Sequence, residues 1–353
     1  MNLNNFLLIL FLLAFSLFYF KYFLLIIKKY NPKLLIDNQF SKPQAFHETP
    51  ISTGGGLYIF IAIIITCLNF LFFKNIFFTE YLSFCTLFFI IGFLDDLKIN
   101  IEPKIRLTLM ILLLIALIKI NDFYIVNTGI EILDNWLRNS KLFSLVFITI
   151  CFLFIINGAN LIDGYNGLLG IHSLIIITNL FIINYMNENT DLAGLLFFAI
   201  LILIIFLKFN FPKANVFLGD SGSYILGTFI ALTVIKTSID NTTISPFYFC
   251  ILLFYLFFEV FFSFFRKLVK EKKSPMLPDE KHFHMILYKK LMKKNKNKFK
   301  SNYQVSLIIN LSYFILTLPA ILIMKNGMLC KYYSLVFFVA YIFFYIKIHK
   351  ETK

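Results

Sequence analysis

Charge is scarce in this sequence of 353 residues. Charged residues make up 15% of it, and acidic side chains are the rarer kind, with 19 Asp and Glu against 33 Lys and Arg. Hydrophobic residues account for 59%, and many of their blocks approach the roughly 20 residues that cross a bilayer. This pattern excludes an ordinary soluble protein of about two domains and predicts a polytopic membrane protein.

Cysteine is also sparse, and its spacing excludes two kinds of stabilising site. No CxxC pair occurs, and an odd number of cysteines argues against both a disulfide framework and a zinc site. We interpret all five as packing residues in the core. They are Cys67, Cys85, Cys151, Cys250 and Cys330.

The N-terminus lacks the features of a cleavable signal peptide. No basic stretch precedes its apolar run, no small-residue cleavage site follows, and most of its basic residues lie after the run. We therefore expect a first membrane span with the N-terminus outside.

The apolar blocks predict an all-α, polytopic helical bundle that forms a single domain over residues 1–353. We expect ten to eleven transmembrane helices. The eleven candidate spans lie near residues 5–27, 55–73, 79–94, 105–120, 142–157, 170–186, 192–208, 222–236, 246–265, 303–323 and 332–348.

Basic residues are divided unevenly between the two sides of this bundle. With the N-terminus outside, 25 of the 33 Lys and Arg fall on inward segments and seven on outward ones. Cytoplasmic loops carry the excess of Lys and Arg in membrane proteins, so this orientation is the predicted one. The net charge of +14 is mostly this bias, and no nucleic-acid partner is needed to explain it.

Nearly all the unusual polar residues lie on the predicted cytoplasmic side, and the outward loops hold no dense polar cluster. The five polar segments are HETPISTGGG (47–56), GFLDDLKINIEPKIR (92–106), NGANLIDGYNGLLG (157–170), FPKANVFLGDSGS (211–223) and DEKHFHMIL (279–287). This one-sided clustering predicts a functional site at the cytoplasmic face.

Asp95 and Asp96 end the third predicted span. The helix dipole disfavours negative charge there, so we expect a cation nearby: Lys98, Lys104, Arg106 or a bound metal. A solvated helix end is the alternative interpretation.

Asp220 projects from the glycine-rich turn FLGDSGS, which opens a later span. Such a turn can cradle phosphate through its backbone N–H groups, and the carboxylate could bind Mg²⁺ that in turn holds phosphate. An ordinary loop with an Asp near a helix start is the alternative.

The segment NGANLIDGYNG has a polar side chain at every third position. Asn157, Asn160, Asp163 and Asn166 therefore face one way in a helix or turn. Their oxygens suit a hard cation, and their amides suit ribose or base edges. Carboxamides also join helices within membranes, but four polar groups between two apolar blocks exceed that need. We interpret the segment as a ligand site.

His282 and His284 are the only paired histidines, and they lack Cys or Glu at the spacing of a zinc site. Binding of phosphate together with arginine is the favoured interpretation. The lysines from Lys289 to Lys300 are interpreted as residues that anchor the chain at the cytoplasmic membrane surface, in line with the excess of basic residues on that side.

Together these segments resemble the polyprenyl-phosphate N-acetylhexosamine-1-phosphate transferase family. Its members include the transferases that use UDP-GlcNAc and undecaprenyl phosphate in O-antigen and teichoic-acid synthesis. The phospho-N-acetylmuramoyl-pentapeptide transferase of peptidoglycan synthesis is a relative. The resemblance runs from about His47 to Leu287, with all motifs in order on the predicted inner side.

Each motif has a counterpart in that family. GFLDDL with PKIR (103–106) is similar to its double-aspartate loop, and NGANLIDGYNG to its Asn-x-x-Asn-x-x-Asp-Gly-x-x-Gly segment. Asn215 with FLGDSGS resembles its metal-binding loop. Glu259, Arg266 and DEKHFH look like its ninth span and the histidine loop that follows.

Two motifs depart from the family pattern. Thr53 in FHETPISTGGG stands where HxxPTPRxGG has arginine, and Met285 stands at the last place of His-x-His-His. Both regions are associated with sugar-nucleotide or phosphate contacts, so the departures bear on the sugar more than on the reaction. The TPTMGG and triple-histidine signatures of the peptidoglycan enzyme are not reproduced, which makes it the less favoured alternative.

The resemblance implies a phosphoryl transfer. Undecaprenyl phosphate attacks the β-phosphorus of a UDP-N-acetylhexosamine, and UMP leaves. It implies Mg²⁺, with Mn²⁺ as the alternative ion, on Asp220 with Asn160 as a second ligand. Asp95 is assigned to deprotonate or position the lipid phosphate, with Asp96 beside it. A covalent aspartyl intermediate is left open.

The resemblance also implies a location in the cytoplasmic (inner) membrane, in contact with its lipids, and leaves a homodimer open. The other site residues that it implies contact the substrates. The predicted substrate-binding residues are His47, Lys104, Arg106, Asn157, Asp163, Asn166, Asn215, His282 and His284.

A secondary transporter is the alternative from a different functional class. Transporter sites lie near the bilayer midplane at broken helices, often between inverted repeats. Here the carboxylates lie at one face and no repeat is evident, so an enzyme that begins cell-surface glycan synthesis is the favoured prediction.

Overall fold

A computed structural model describes residues 3–30, 35–37, 50–99, 101–272, 274 and 279–352. His47, one of the predicted substrate-binding residues, lies outside these ranges.

Most described residues are helical, because a chain in lipid must satisfy its backbone hydrogen bonds within each segment. π-helical turns at Tyr19–Phe23 and Arg266–Glu271 follow α1 and α12. The helices are α1 (Leu3–Phe18), α2 (Leu24–Tyr30), α3 (Gly55–Lys74), α4 (Thr79–Asp96), α5 (Pro103–Ile120), α6 (Glu131–Asn139), α7 (Lys141–Ile162), α8 (Leu168–Met186), α9 (Thr190–Asn210), α10 (Gly219–Asp240), α11 (Pro246–Leu252), α12 (Phe254–Phe265), α13 (Phe283–Asn295), α14 (Lys298–Ile323) and α15 (Gly327–Thr352).

All eleven predicted spans fall on helices, and the polytopic, helical class is confirmed. Eight helices in the described part of the chain are long and apolar enough to cross a membrane. The pair α11 and α12, bent by 75°, is either a broken ninth span or a re-entrant loop. The other two predicted spans, α4 and α5, have 18 residues each, and each carries three charged side chains. Ten to eleven crossings therefore stays a prediction. The six charged residues are Glu80, Asp95, Asp96, Lys104, Arg106 and Lys119.

Two short strands are an exception to the predicted all-α chain. β1 (Ile36–Asp37) and β2 (Ile51–Ser52) pair antiparallel, with Ile36 opposite Ser52. Ser52 also bridges to Val216 in parallel. Since β2 precedes α3 and Val216 precedes α10, this pairing brings the starts of both helices to one end of the bundle.

α10 lies at the centre of the bundle and is buried along most of its length. It packs against α3, α4, α7 and α8. Two glycines allow close approach at its first turn. A Cβ added at Gly92 of α4 would lie 2.5 Å from the Asp220 carbonyl oxygen, and one at Gly56 of α3 would lie 2.3 Å from the Gly222 nitrogen. The start of α10 is therefore held between the start of α3 and the end of α4.

Buried polar side chains join helices deeper in the bundle. Asn184 of α8 donates to the Thr237 hydroxyl of α10 over 2.8 Å. Asn310 of α14 donates to the Leu168 carbonyl and faces His172 Nδ1 at 3.1 Å. Carboxamides thus do serve as interhelical contacts in this chain.

Candidate active site

A cavity of about 1530 Å³ opens at the end of the bundle where α10 begins. All five polar segments contribute to its wall, together with the turn between α13 and α14. The five polar segments that the sequence predicts on one side therefore line a single cavity. The predicted site residues that line it are Asp95, Asp96, Arg106, Asn157, Asn160, Asp163, Asn166, Asp220 and His282.

Asp96, at the end of α4, caps the start of α10. Its carboxylate accepts hydrogen bonds from the backbone N–H groups of Asp220 (2.9 Å) and Ser221 (3.0 Å), and from the Ser221 hydroxyl. The positive end of the α10 dipole offsets the unfavourable position of Asp96 at the end of its own helix. Because these two N–H groups serve Asp96, they are not available to cradle phosphate, contrary to the expectation for this turn.

Arg106 is the cation that the two aspartates were predicted to require. It forms an ion pair with Asp95, and its Nη1 lies 3.7 Å from Asp220 Oδ2. Its guanidinium also lies 5.8 Å from the centre of the Tyr224 ring. Lys104 is exposed and does not line the cavity, because residues two apart on a helix do not face the same way.

Asp220 lies on the first turn of α10 and presents its carboxylate to the cavity, with 42% of the side chain exposed. Oδ1 accepts a hydrogen bond from Asn160 Nδ2 over 3.0 Å. The same amide nitrogen donates to the Ser223 hydroxyl, also over 3.0 Å. Asn160 therefore orients the Asp220 carboxylate through its nitrogen, and its predicted role as a metal ligand stays a prediction.

Asp163 follows the last residue of α7, at the cavity wall. Within the described ranges, no hydrogen bond or ion pair joins its carboxylate to another residue. Burial raises its pKa well above the ordinary value, and the nearby charges of Asp220 and Asp96 raise this pKa further. An unpaired carboxylate beside two others is a position where a bound cation is stabilised.

Asn157 and Asn166 complete the polar row of NGANLIDGYNG. Asn157 donates to the Leu153 carbonyl one helical turn back, over 2.7 Å. Asn166 lies beyond the end of α7. Its side-chain amide donates to the Pro212 carbonyl over 2.9 Å, and its backbone N–H donates to Asn302 Oδ1 over 2.9 Å. The repeat of three thus spans a helix and a turn, and its four polar residues face one cavity.

Asn215 does not reach the cavity. It is exposed, and its backbone N–H donates to the Phe209 carbonyl. The buried amide nearby is Asn210, which accepts from the Gly167 N–H over 2.7 Å and donates to the Val216 carbonyl over 2.8 Å. Asn210 ends an apolar block, which is why the sequence did not single it out as part of this turn.

His282 and His284 separate in the structure. His282 lines the cavity, with Nδ1 3.1 Å from Glu259 Oε1. His284 is fully buried against the Tyr255 hydroxyl at 3.3 Å, away from the cavity. Burial lowers the pKa of His284 to about 3, so it is neutral at physiological pH. A neutral, enclosed imidazole does not fit the phosphate contact predicted for His284.

Asp279 anchors the segment that carries His282. It forms an ion pair with Arg266 and accepts from the Ser263 hydroxyl over 3.2 Å. Burial alone would raise the pKa of Asp279, but the Arg266 hydrogen bond and the charges of His282 and Arg266 lower it to about 2. The carboxylate is therefore ionised throughout the physiological range.

Comparison with known proteins places the chain in a family. The family described as glycosyl transferase family 4 matches residues 78–238. An undecaprenyl-phosphate alpha-N-acetylglucosaminyl 1-phosphate transferase of Thermotoga maritima is 30% identical over 247 residues, which cover 70% of this chain and 71% of that protein. A phospho-N-acetylmuramoyl-pentapeptide-transferase of Prochlorococcus marinus is 32% identical over 290 residues, covering 74% and 79%. This chain belongs to glycosyl transferase family 4.

A third relative shows a shorter match. The phospho-N-acetylmuramoyl-pentapeptide-transferase of Dictyoglomus turgidum is 33% identical over 200 residues, 54% of this chain and 61% of that protein. The matched family region, 78–238, runs from α4 to the end of α10. It contains four of the cavity carboxylates, Asp95, Asp96, Asp163 and Asp220, whereas the histidine segment lies beyond it.

In this family-4 chain, Asp220 and Asp163 are the residues best placed to hold a metal. Among the described residues, no three His, Cys, Asp or Glu side chains form a ready-made metal site. Mg²⁺ does not need one, since it usually keeps several waters and binds one or two carboxylates together with substrate phosphates. The exposed Asp220 carboxylate and the unpaired Asp163 carboxylate fit this requirement.

Five lysines of the cavity wall were not predicted as site residues: Lys98, Lys213, Lys267, Lys296 and Lys298. Lys213 precedes α10, and Lys296 follows α13 in the left-handed region of φ, at 51°. The anchoring interpretation suits Lys289, which pairs with Glu280 over 2.9 Å on the surface. Spacing along the sequence does not distinguish Lys296 from its neighbours. Its position at the end of α13 is what distinguishes it from them.

Proposed function

We propose that this protein transfers an N-acetylhexosamine 1-phosphate from a UDP-sugar to undecaprenyl phosphate at the cytoplasmic face of the inner membrane. The observation that carries the proposal is the cluster of carboxylates and Arg106 at the start of α10, which opens into a cavity of about 1530 Å³ in a family-4 chain. The names of the relatives support a polyprenyl-phosphate sugar-phosphate transferase and point to more than one sugar donor.

The proposed chemistry forms one P–O bond and breaks another. An oxygen of the lipid phosphate attacks the β-phosphorus of the donor, the bond from the β-phosphorus to the oxygen of the α-phosphate breaks, and UMP leaves with that oxygen. The bond between the sugar and its phosphate survives. Positioning and charge neutralisation account for most of the catalysis in such transfers.

Four side chains of the cluster have tasks in this scheme. Arg106 lies between Asp95 and Asp220 and is placed to exchange a carboxylate for a phosphate oxygen. Asp95, once released, positions or deprotonates the attacking lipid phosphate. Asp220 and Asp163 are the proposed holders of Mg²⁺, with Mn²⁺ as the alternative. A bound ion would neutralise the negative charge that develops on the phosphoryl oxygens.

The reaction is tested by identifying the leaving nucleotide. Purified protein with undecaprenyl phosphate, Mg²⁺ and a UDP-sugar labelled at the β-phosphate should release UMP and move the label into lipid. Release of UDP, with no label in lipid, would mean ordinary glycosyl transfer and would refute the proposal. Uptake of labelled solute into vesicles without a lipid product would instead support the transporter alternative.

The donor is the second question, and two candidates have support. An N-acetylglucosamine donor is supported by the Thermotoga relative and by the absence of the TPTMGG and triple-histidine signatures of the peptidoglycan enzyme. The phospho-N-acetylmuramoyl-pentapeptide donor is supported by the names of the two other relatives described above. A panel of UDP-N-acetylhexosamines together with UDP-N-acetylmuramoyl-pentapeptide separates the two, since only the true donor should give a labelled lipid.

The cytoplasmic orientation is tested by cysteine labelling in a variant that lacks the five native cysteines. Ser52→Cys and Ser274→Cys should react with an impermeant reagent only from the cytoplasmic side. Thr242→Cys, beyond the other end of α10, is the matched control and should react only from outside. The reverse pattern would move the cavity to a face without nucleotide sugars.

A further inference from the structure

Glu259 is a carboxylate buried inside the helical bundle. It lies on α12, within the bent candidate span, and its exposed fraction is 1%. A charge enclosed at such a position is costly unless strong partners satisfy it. Acidic residues inside membrane helices are rare for that reason, and their presence calls for an explanation from their contacts.

The two carboxylate oxygens of Glu259 have different partners. Oε1 accepts from the Phe283 N–H over 2.9 Å and lies 3.1 Å from His282 Nδ1. Oε2 accepts from the Tyr341 hydroxyl of α15 over 2.6 Å. One oxygen therefore serves the start of α13 and the cavity histidine, and the other serves a neighbouring helix.

The opposite nitrogen of His282 remains for a ligand. Nε2 lies 3.7 Å from Asp279 Oδ2, beyond hydrogen-bond distance, and Asp279 already pairs with Arg266. Across the ranges that the structure describes, no residue forms a hydrogen bond with Nε2. His282 lines the cavity, so Nε2 is the ring nitrogen to consider for a contact with substrate.

A carboxylate on one imidazole nitrogen determines what the other nitrogen offers. The hydrogen bond at Nδ1 sets the orientation of the ring and thereby the direction in which Nε2 points. An imidazolium presents an N–H donor at Nε2, which suits a phosphate oxygen. The same arrangement, a carboxylate behind a ligating histidine, is widely used to orient metal-bound histidines.

We propose that Glu259 is a positioning residue that holds His282 with its Nε2–H directed at a phosphate group of the substrates in the cavity. This inference rests on the proposed function for the identity of those substrates. It assigns Glu259 a role through His282, with no contact of its own to the reacting atoms.

A double-mutant cycle tests the role. Glu259→Gln, His282→Asn and the double variant are compared for kcat and for the KM of the UDP-sugar, alongside their thermal midpoints. Tyr341→Phe is the matched control, because it removes a donor from the same carboxylate without touching the side that faces His282. Loss of a carboxylate behind a functional histidine typically costs about 10–100-fold.

The expected result is non-additivity. Glu259→Gln should lower kcat/KM about 10–100-fold in the parent and cause no further loss when His282 is already Asn. Tyr341→Phe should stay within about twofold of the parent in kcat/KM even where its midpoint falls. Additive losses, or an equal loss in Tyr341→Phe, would show that Glu259 only holds helices together and would overturn the inference.

Two further arms keep the test decisive. If Glu259→Gln does not fold, Glu259→Asp, which keeps the charge, takes its place in the same cycle with the same criterion. If the parent shows no transfer, the proposed function has failed. The cycle is then measured with UMP alone, whose stabilisation of the parent should be lost in Glu259→Gln and kept in Tyr341→Phe. Equal stabilisation by UMP in all variants would refute the positioning role.

Discussion

Asp96→Asn is the sharpest perturbation of the site, because it changes one oxygen of a carboxylate that caps a helix. In the structure Oδ1 accepts from the Asp220 N–H, and Oδ2 accepts from the N–H and hydroxyl of Ser221. Asparagine keeps one acceptor, which can continue to serve Asp220. Its amide group then faces the Ser221 N–H, so a donor meets a donor.

The expected destabilisation follows from these contacts. Leaving one buried N–H without its acceptor costs about 1–3 kcal/mol. Burial and the nearby charge of Asp220 raise the pKa of Asp96 to about 7, so loss of its negative charge at the start of α10 adds about 0.3–2 kcal/mol when the measurement is made above that pH. The Ser221 hydroxyl can rotate to accept from the new amide, so it adds nothing. The total is about 3 kcal/mol, and Asp220, on the same turn, should shift enough to lower activity as well.

Asp95→Asn is the matched control on the adjacent residue. Asp95 pairs with Arg106 where both side chains remain partly exposed, and such pairs contribute about 0–1 kcal/mol. Thermal midpoints in detergent, measured at one scan rate, should therefore place Asp96→Asn well below the parent and Asp95→Asn close to it. An Asp96→Asn midpoint equal to or above that of Asp95→Asn would refute the capping role.

Three further predictions concern the same end of the bundle. Asp220→Asn should fold, lose its Mg²⁺ dependence and slow UMP release by at least ~10³. Asp240→Asn, at the far end of α10, is the control and should keep near-normal activity. Normal turnover in Asp220→Asn would place the metal elsewhere. Gly92→Ala should lower the thermal midpoint, because the added Cβ forces α4 away from α10 at a cost of about 1–3 kcal/mol. Gly164→Ala, where a Cβ would meet open space, should leave the midpoint unchanged. Equal midpoints for the two variants would contradict the close packing. Because the pKa of Asp279 is lowered to about 2, its contribution to stability is present above the unfolded value near ~4 and is lost as pH falls toward 2. The midpoint deficit of Asp279→Asn should therefore be full at pH 7 and shrink below about pH 4, and a deficit that grows on acidification would be inconsistent with this.

The sequence alone was enough to predict the helical bundle and the composition of one end of it. Apolar blocks of bilayer length leave the backbone no alternative to helices. Because each block has a definite length, the polar segments between blocks must fall at one end or the other. Alternation of the blocks therefore predicted that Asp95, Asp163 and Asp220 lie on the same side, and they line one cavity.

Tertiary packing decided which neighbours in the sequence reach the cavity. Arg106 lines it and Lys104 does not; His282 lines it and His284 is buried in the core. Residues two apart differ by about 200° around a helix, so the rotation of each helix against its neighbours makes the choice. No local pattern records that rotation.

The pairing of Asp96 with the first turn of α10 likewise depends on the folded molecule. The two lie 124 residues apart, and they meet because Gly92 and Gly56 let α4 and α3 approach the same turn of α10. Sequence patterns predict that a carboxylate suits a helix start, but any of several carboxylates on this side would satisfy that rule. The close approach of the glycines selects Asp96 and leaves Asp220 and Asp163 facing the cavity.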